Sequence, residues 1–322
     1  EEEQLLIREL TPWFLDPDDP HVDSLRFVEL RSEDCSWLGK MFLQHGLQHI
    51  RSIQVLTNTC GDLALLAFSQ LLLHEGCPLQ RLHVDGTGCT DEGMVELAHA
   101  LKYNLSLNSL VCRSSNLTDS GLCAFSSMLM ENTTLTKLDL HDNSSVGVRG
   151  ALALLEALRA NRTITYLDFR RKLTAPPSED STHSLVEEEQ PCIGEYQELA
   201  DVVLSHKSLK SFRRHDLSRL REWMQSNTFS MSQIPCDDVD AAVVASILLH
   251  GHCAVKSLSL RGFLTPIGLK LLSDGLRGCA LQRFILADCK GAFWGDGLES
   301  FSDFLVSSHH LQVLTVRGLF DG

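Results

Sequence analysis

The segment Leu135-Thr136-Lys137-Leu138-Asp139-Leu140 recurs in altered form along the chain. Leu79-Leu82-Val84, Leu107-Leu110-Cys112, Leu135-Leu138-Leu140 and Ile164-Leu167-Phe169 follow one another at spacings of 28, 28 and 29 residues. A fixed period of this size means one supersecondary unit stacked many times, and it constrains the fold more than any local motif does. It also moves the functional question from a pocket to a surface, because each unit buries its apolar side only against its neighbours.

Extending the template gives ten strand segments, starting at Leu25, Ile50, Leu79, Leu107, Leu135, Ile164, Leu209, Val255, Leu281 and Leu311. In each, alternate apolar residues face inward, as a period of two requires. A helix follows each strand. Gly93, Gly121, Gly150, Gly268 and Gly297 precede large apolar residues by four and eight positions, as in Leu97/Leu101 and Leu272/Leu276. Residues at i and i+4 share a helix face, so each helix lays one stripe against the strand layer. Thr90 and Thr118 stand as N-caps three residues before their glycines, and Thr265-Pro266 reads as a cap with proline at the first helical position. The glycine, lacking a side chain, is expected to let the helix lie close to the strand. Asn104, Asn132 and Asn161 each fall eleven residues after the glycine, where the helix ends and the chain turns back.

Segments such as LTDSGLCAFSSMLMENTTLTKLDLHDN resemble leucine-rich repeats of the ribonuclease-inhibitor type. The resemblance implies an α/β horseshoe solenoid of about ten repeats, with parallel strands on the concave face and helices on the convex face. It is closest over 79–170, good over 255–322 and weaker over 20–78. The asparagine that closes the strand turn in that family is present at Asn58 and Asn143, displaced by one at Asn116, and replaced by Thr87 and Cys289 elsewhere. Repeats of 28 residues ending in Asn-x-Thr/Ser are similar to those of NOD-like receptors and related intracellular scaffolds.

The period breaks twice. Strand starts jump by 45 residues from Ile164 to Leu209 and by 46 from Leu209 to Val255. Segment 173–192 is rich in Pro, Ser and acids without apolar periodicity, and reads as a loop. Segment 216–237 carries Leu217, Leu220, Trp223 and Met224 at helical spacing, which predicts a short inserted amphipathic helix. The expected organisation is an N-terminal cap over 1–20, built on Leu5, Leu6, Leu10, Trp13 and Phe14, followed by the repeat array 21–322 with insertions at about 172–195 and 216–237.

A net charge of −14 over 322 residues argues against nucleic-acid or anionic-membrane binding, which need a basic footprint. The eleven cysteines are scattered without a CxxC pair. Buried free thiols in a reducing, cytoplasmic setting account for this pattern better than disulfides do. No apolar run approaches the ~18 residues of a membrane span. Sequons at Asn104, Asn116, Asn132, Asn143 and Asn161 fall at repeat positions, so the period itself generates them.

The outermost exposed position of the strands holds Arg31, Arg113, His141, Arg170, His215, Arg261 and Arg317, and neighbouring positions add Arg81, His83, Lys137, Tyr166, Arg213 and Arg283. Glu29, Asp139 and Asp168 are interleaved with them. Two readings follow. Either the acids neutralise the arginines along the sheet, or the basic track faces an acidic protein partner, since Arg pairs bidentately with carboxylates. On the second reading the fold does not need these arginines, and charge reversal at Arg113 plus Arg170 weakens binding without lowering the melting temperature. His83, His141 and Asp85 read as structural or surface groups, because no ligand pair lies at a tight spacing such as HExxH. No GxSxG, P-loop or GxGxxG occurs. No catalytic residue, cofactor or metal is therefore expected. The leading function is a non-catalytic interaction scaffold or sensor domain. The alternative is a GTPase-activating protein resembling the activator of Ran, which uses the same repeat type. An inhibitor of a basic nuclease fits poorly with an arginine-bearing face.

Overall fold

Leu82 lies opposite Leu110, and Leu110 opposite Leu138, so residues 28 apart in the chain become lateral neighbours in a sheet. The computed structural model describes residues 24–30, 50–58, 61–85, 88–143, 146–170, 192–213, 215–225, 228–250, 255–289 and 292–318. The chain divides into two compact units, 1–172 and 173–322.

In the first unit, β1 (Ser24–Leu30), β2 (Ser52–Asn58), β3 (Arg81–Val84), β4 (Ser109–Val111), β5 (Lys137–Asp139) and β6 (Tyr166–Asp168) pair in parallel in chain order. Helices α1 (Asp62–Leu73), α2 (Asp91–Tyr103), α3 (Asp119–Glu131) and α4 (Val148–Ala160) connect β2 through β6, each packing on the next. Leu82, Leu110, Leu138 and Leu167 of the strands are at most 1% exposed, as are Leu97, Leu101, Phe125, Leu129, Leu154 and Leu158 of the helix stripes. Each such side chain contributes roughly 1.5–3 kcal/mol by leaving water. In β1, Leu25 lies opposite Ile53 and Phe27 opposite Val55. Leu25 is thus the second apolar position of its repeat, three residues away from the register expected. Arg31 and the expected cap over 1–20 lie outside the described residues.

The repeat glycines have a different reason from the one expected. Asp62, the first residue of α1, accepts the backbone N–H of Thr90 at 2.7 Å and its hydroxyl at 2.6 Å. Asp91 does the same for Thr118, Asp119 accepts the N–H of Gly147 at 2.6 Å, and Asp238 accepts from both groups of Thr265. Helices α1, α2, α3 and the later helix Asp238–His250 therefore open with a carboxylate that ties down the N-terminal cap of the helix one repeat on. A Cβ on Gly93 would stand 2.5 Å from Oδ1 of Asp62, and one on Gly150 would stand 2.6 Å from Oδ1 of Asp119. The missing side chain makes room for the neighbouring carboxylate, not for the strand. At Gly297 the obstacle is the backbone of Pro266.

The asparagines at the helix ends form a second ladder. Asn132 donates to the carbonyl of Leu101 at 2.6 Å, while its Oδ1 accepts from the N–H groups of Thr134 at 3.0 Å and Leu135 at 2.7 Å. Asn104 and Asn161 repeat the pattern one repeat away on either side. Asn143 satisfies the strand turn, accepting from Ser115 and Leu117 and donating to Cys112 and Leu140. These four sequon asparagines are at most 5% exposed and are spent on the backbone, whereas Asn116 is exposed.

In the second unit, α5 (Ile193–Ser205) leads to a short β7 (Ser211–Phe212), which turns back into an antiparallel β8 (His215–Asp216). The amphipathic helix expected within 216–237 is α6 (Leu217–Gln225). Residues 228–236 of the same expected insertion instead form β9 (Thr228–Cys236), which pairs in parallel with β10 (Ser257–Gly262). The pairing is irregular: the five steps from Ser230 to Pro235 face the two from Ser259 to Arg261. Proline has no N–H for a ladder, and a bulge is where a strand tolerates it. From there the period resumes through α7 (Asp238–His250), β10, α8 (Pro266–Leu276), β11 (Arg283–Ala287), α9 (Gly295–Ser307) and β12 (Val313–Arg317), with β9 to β12 parallel in chain order. Helix α7 lies between α5 and α8 and buries nearly its whole circumference, as its run of Ala, Val, Ile and Leu demands.

Cys77, Cys89, Cys112, Cys236 and Cys289 are buried free thiols, and Cys123 and Cys192 exposed ones. Among the described cysteines Cys279 is disulfide-bonded, a departure from the free-thiol expectation.

Candidate functional site

The strand face opposite the helix stripes presents rows of side chains fixed by register. Along one row of the first unit, Arg81 stands opposite Ser109, Ser109 opposite Lys137, and Lys137 opposite Tyr166. Arg81 is exposed and the other three are partly so. The Lys137 ammonium lies 5.0 Å from the centre of the Tyr166 ring, a cation–π contact between side chains of adjacent strands. The next row runs Gln54, His83, Val111, Asp139 and Asp168. Gln54 Nε2 is 3.2 Å from His83 Nδ1, and His83 Nε2 is 2.6 Å from an Asp85 carboxylate oxygen.

At the strand exits the arginines are not free. Arg113 donates Nη2 to Oδ2 of Asp139 at 2.6 Å, and Arg170 donates Nε and Nη2 to the two oxygens of Asp168 at 3.0 and 3.1 Å. Both carboxylates are 0% exposed, against an expectation that placed them on the open surface. His141, also expected to be exposed, is buried, with Nδ1 2.6 Å from Oδ1 of Asp139. Burial alone would raise the Asp139 pKa, but hydrogen bonds from His141 and Arg113 outweigh it and hold the carboxyl well below the usual range. Reversing the charge of Arg113 and Arg170 would leave two buried carboxylates facing new anions. The fold does need these arginines, so the expectation of an unchanged melting temperature does not stand.

Asp139, His141 and Asp168 place one ligand atom each within 4.8 Å of one another. That is metal-like spacing, but both carboxylates already accept from guanidinium groups. The arginines supply the positive charge a cation would bring, and the cluster is an ion-pair network.

In the second unit, Arg213 and His215 were expected to be exposed and are instead 3% and 6% exposed. The β7–β8 turn folds them inward, with Arg213 at φ 50°. Arg213 makes a bidentate pair with Asp237 at 2.7 and 2.6 Å, and His215 Nε2 lies 3.4 Å from Asp240. Arg261, Arg283 and Arg317 are exposed, as expected, and Arg261 pairs with Asp288 at 2.6 Å. The sequence therefore places Arg81, Lys137, Tyr166, Arg261, Arg283 and Arg317 on open strand surface, but misassigns His141, Arg213 and His215. Sequence reasoning missed Asp288 as the partner of Arg261. Its signal was position: it stands one residue past the outermost position of its repeat, as Ser114 and Asp142 do past Arg113 and His141, and all three adopt positive φ.

A leucine-rich-repeat family model, "Leucine Rich repeat", matches residues 131–155, which span the end of α3, β5 and the start of α4. Human leiomodin-1 is 30% identical over 95 residues, 29% of this chain and 16% of that protein. Mouse NACHT, LRR and PYD domains-containing protein 14 is 26% identical over 249 residues, 75% of this chain and 24% of that protein. Mouse ribonuclease inhibitor is 30% identical over 137 residues, 42% of this chain and 29% of that protein. The chain thus spans less than a third of each of these relatives. Among solved structures, Leiomodin-1 Actin-Binding Site 2 (ABS2) aligns with a TM-score of 0.37 at 17% identity, covering 60% of this chain and 94% of that one. With its alternating strands and helices and parallel pairing, the chain is a leucine-rich-repeat protein. Its repeats are of the ribonuclease-inhibitor type.

Proposed function

We propose that this chain is a non-catalytic interaction scaffold, a curved solenoid that binds an acidic protein partner on the concave side of its strands. The observation that carries this reading is the row Arg81, Ser109, Lys137 and Tyr166, polar and aromatic groups held on adjacent parallel strands with the apolar side turned away. Tyrosine and arginine are favoured as interface anchors, and Lys137, already resting on the Tyr166 ring, has part of its rotamer freedom removed before a partner arrives. Among the described residues Arg81 and Lys137, unlike Arg113 and Arg170, pair with no buried carboxylate, which leaves their charge for a partner. The largely free thiols fit a cytoplasmic setting. Among the described residues no helix is long and apolar enough to cross a membrane.

Affinity capture from cell extract with the wild type beside Arg81→Glu/Lys137→Glu tests the proposal. The double variant is expected to melt like the wild type and to lose one or more captured proteins. Identical capture profiles would sink the concave-face assignment.

A further inference from the structure

At the outer end of the strand face in the second unit lies a cavity of about 430 Å³, lined in part by Ser259, Arg261, Ile285, Ala287, Asp288 and Arg317. Register places Arg261 opposite Ala287, and Ala287 opposite Arg317. Two guanidinium groups therefore rise from strands two apart, roughly 10 Å between backbones, across one small side chain. Ile285 and Ala287 form a partly exposed apolar floor between them.

The two cations are not equivalent. Arg261 Nε donates to Asp288 at 2.6 Å. The position of Asp288 is set by its turn: φ is 62°, and its N–H bonds the carbonyl of Arg317 at 3.0 Å. Gly318, at φ 70°, packs so closely that a Cβ there would lie 2.8 Å from Oδ1 of Asp288. Asp288 is thus committed to Arg261. Among the described residues no carboxylate lies within ion-pair distance of the exposed Arg317. This differs from the first unit, where Arg113 and Arg170 are taken up by buried Asp139 and Asp168.

We infer that this cavity docks an acidic segment of the protein partner, with a carboxylate on Arg317 and an adjacent apolar side chain over Ile285 and Ala287. The inference rests on the scaffold reading above and names one contact point of it. The volume, near the lower end of the range for ligand sites, accommodates a pair of side chains. Polyphosphate is a poorer fit, because Asp288 already holds Arg261 and leaves Arg317 to face a single anionic group beside an apolar floor.

The test uses a short fluorescein-labelled peptide alternating glutamate and leucine, followed by fluorescence anisotropy on the whole chain. Saturable binding is expected, weaker by about tenfold in Arg317→Glu and within about threefold of wild type in Arg317→Lys, which keeps the charge but loses the fork. A lysine–leucine peptide of the same length is expected not to bind. Three results each overturn the inference: no saturable binding, equal affinity for Arg317→Glu, or equal binding of the lysine–leucine peptide. Because the capture experiment varies Arg81 and Lys137 and this one varies Arg317, the pocket can fail while the scaffold reading survives, and the reverse.

Discussion

Asp139 concentrates more of this protein's electrostatics than any arginine around it. Its native pKa is depressed, so the unfolded state binds its proton first as the medium is acidified. Its contribution to stability is therefore complete above the unfolded value of about 4 and fades as pH falls towards the native value. Asp139→Asn is expected to lower stability near neutral pH by roughly 2–3 kcal/mol, since Arg113 and His141 lose a charged acceptor. It is also expected to flatten the acid limb of a urea-unfolding series below about pH 4. An acid limb unchanged from wild type would show that the carboxylate is not the group responsible. This residue was only half legible in the sequence. Alternation along a strand places Asp139 on the side away from Leu138, which is correct. Alternation cannot reveal that Arg113 from the preceding strand and His141 from the following turn close over it.

At the scale of the element, the N-terminal joint between helices explains why Thr, Asp and Gly recur together. Replacing a helical glycine by alanine ordinarily favours a helix by about 1 kcal/mol. Gly93→Ala is expected to do the opposite, costing roughly 1–3 kcal/mol by thermal unfolding, because the new methyl displaces Asp62 from Thr90. The cost should couple to its cause. With Asp62→Ala already present, the same change is expected to cost clearly less, and strict additivity of the two would rule out the shared contact. The repeating Thr, Gly and Asn were visible as columns in the sequence because each recurs at a fixed position of the period. Their bonding partners were not, because each lies one repeat away and only the folded register brings it near. Strand β9 escaped detection for a related reason. Pro235 and the local bulge interrupt the alternation that marks a strand, and only pairing with Leu258 and its neighbours keeps Phe229 in register.

At the scale of the whole molecule, stability is assembled from contacts between adjacent modules, so damage should spread by neighbours. Asn132 ties the end of α2 and the end of α3 to the start of β5. Asn132→Ala is expected to lower hydrogen-exchange protection most in β4 and β5 and progressively less in β3 and β2, and uniform loss across the unit would contradict a module-by-module architecture. The repeat architecture was legible because a period near 28 leaves few other folds, whereas the exposed strand face proposed to bind a partner was legible only in part. Exposure there depends on which charges find partners across strands, and that is a property of the assembled sheet. The joint made by Asp62, Asp91 and Asp238 with the threonines that follow them carries a historical implication. A module such as the one opened by Asp91 brings both a carboxylate for its successor and a threonine cap for its predecessor, so copying that module in tandem creates a complete new seam with no further change. A chain built this way can lengthen or shorten by whole units over evolutionary time while each seam it keeps stays chemically intact.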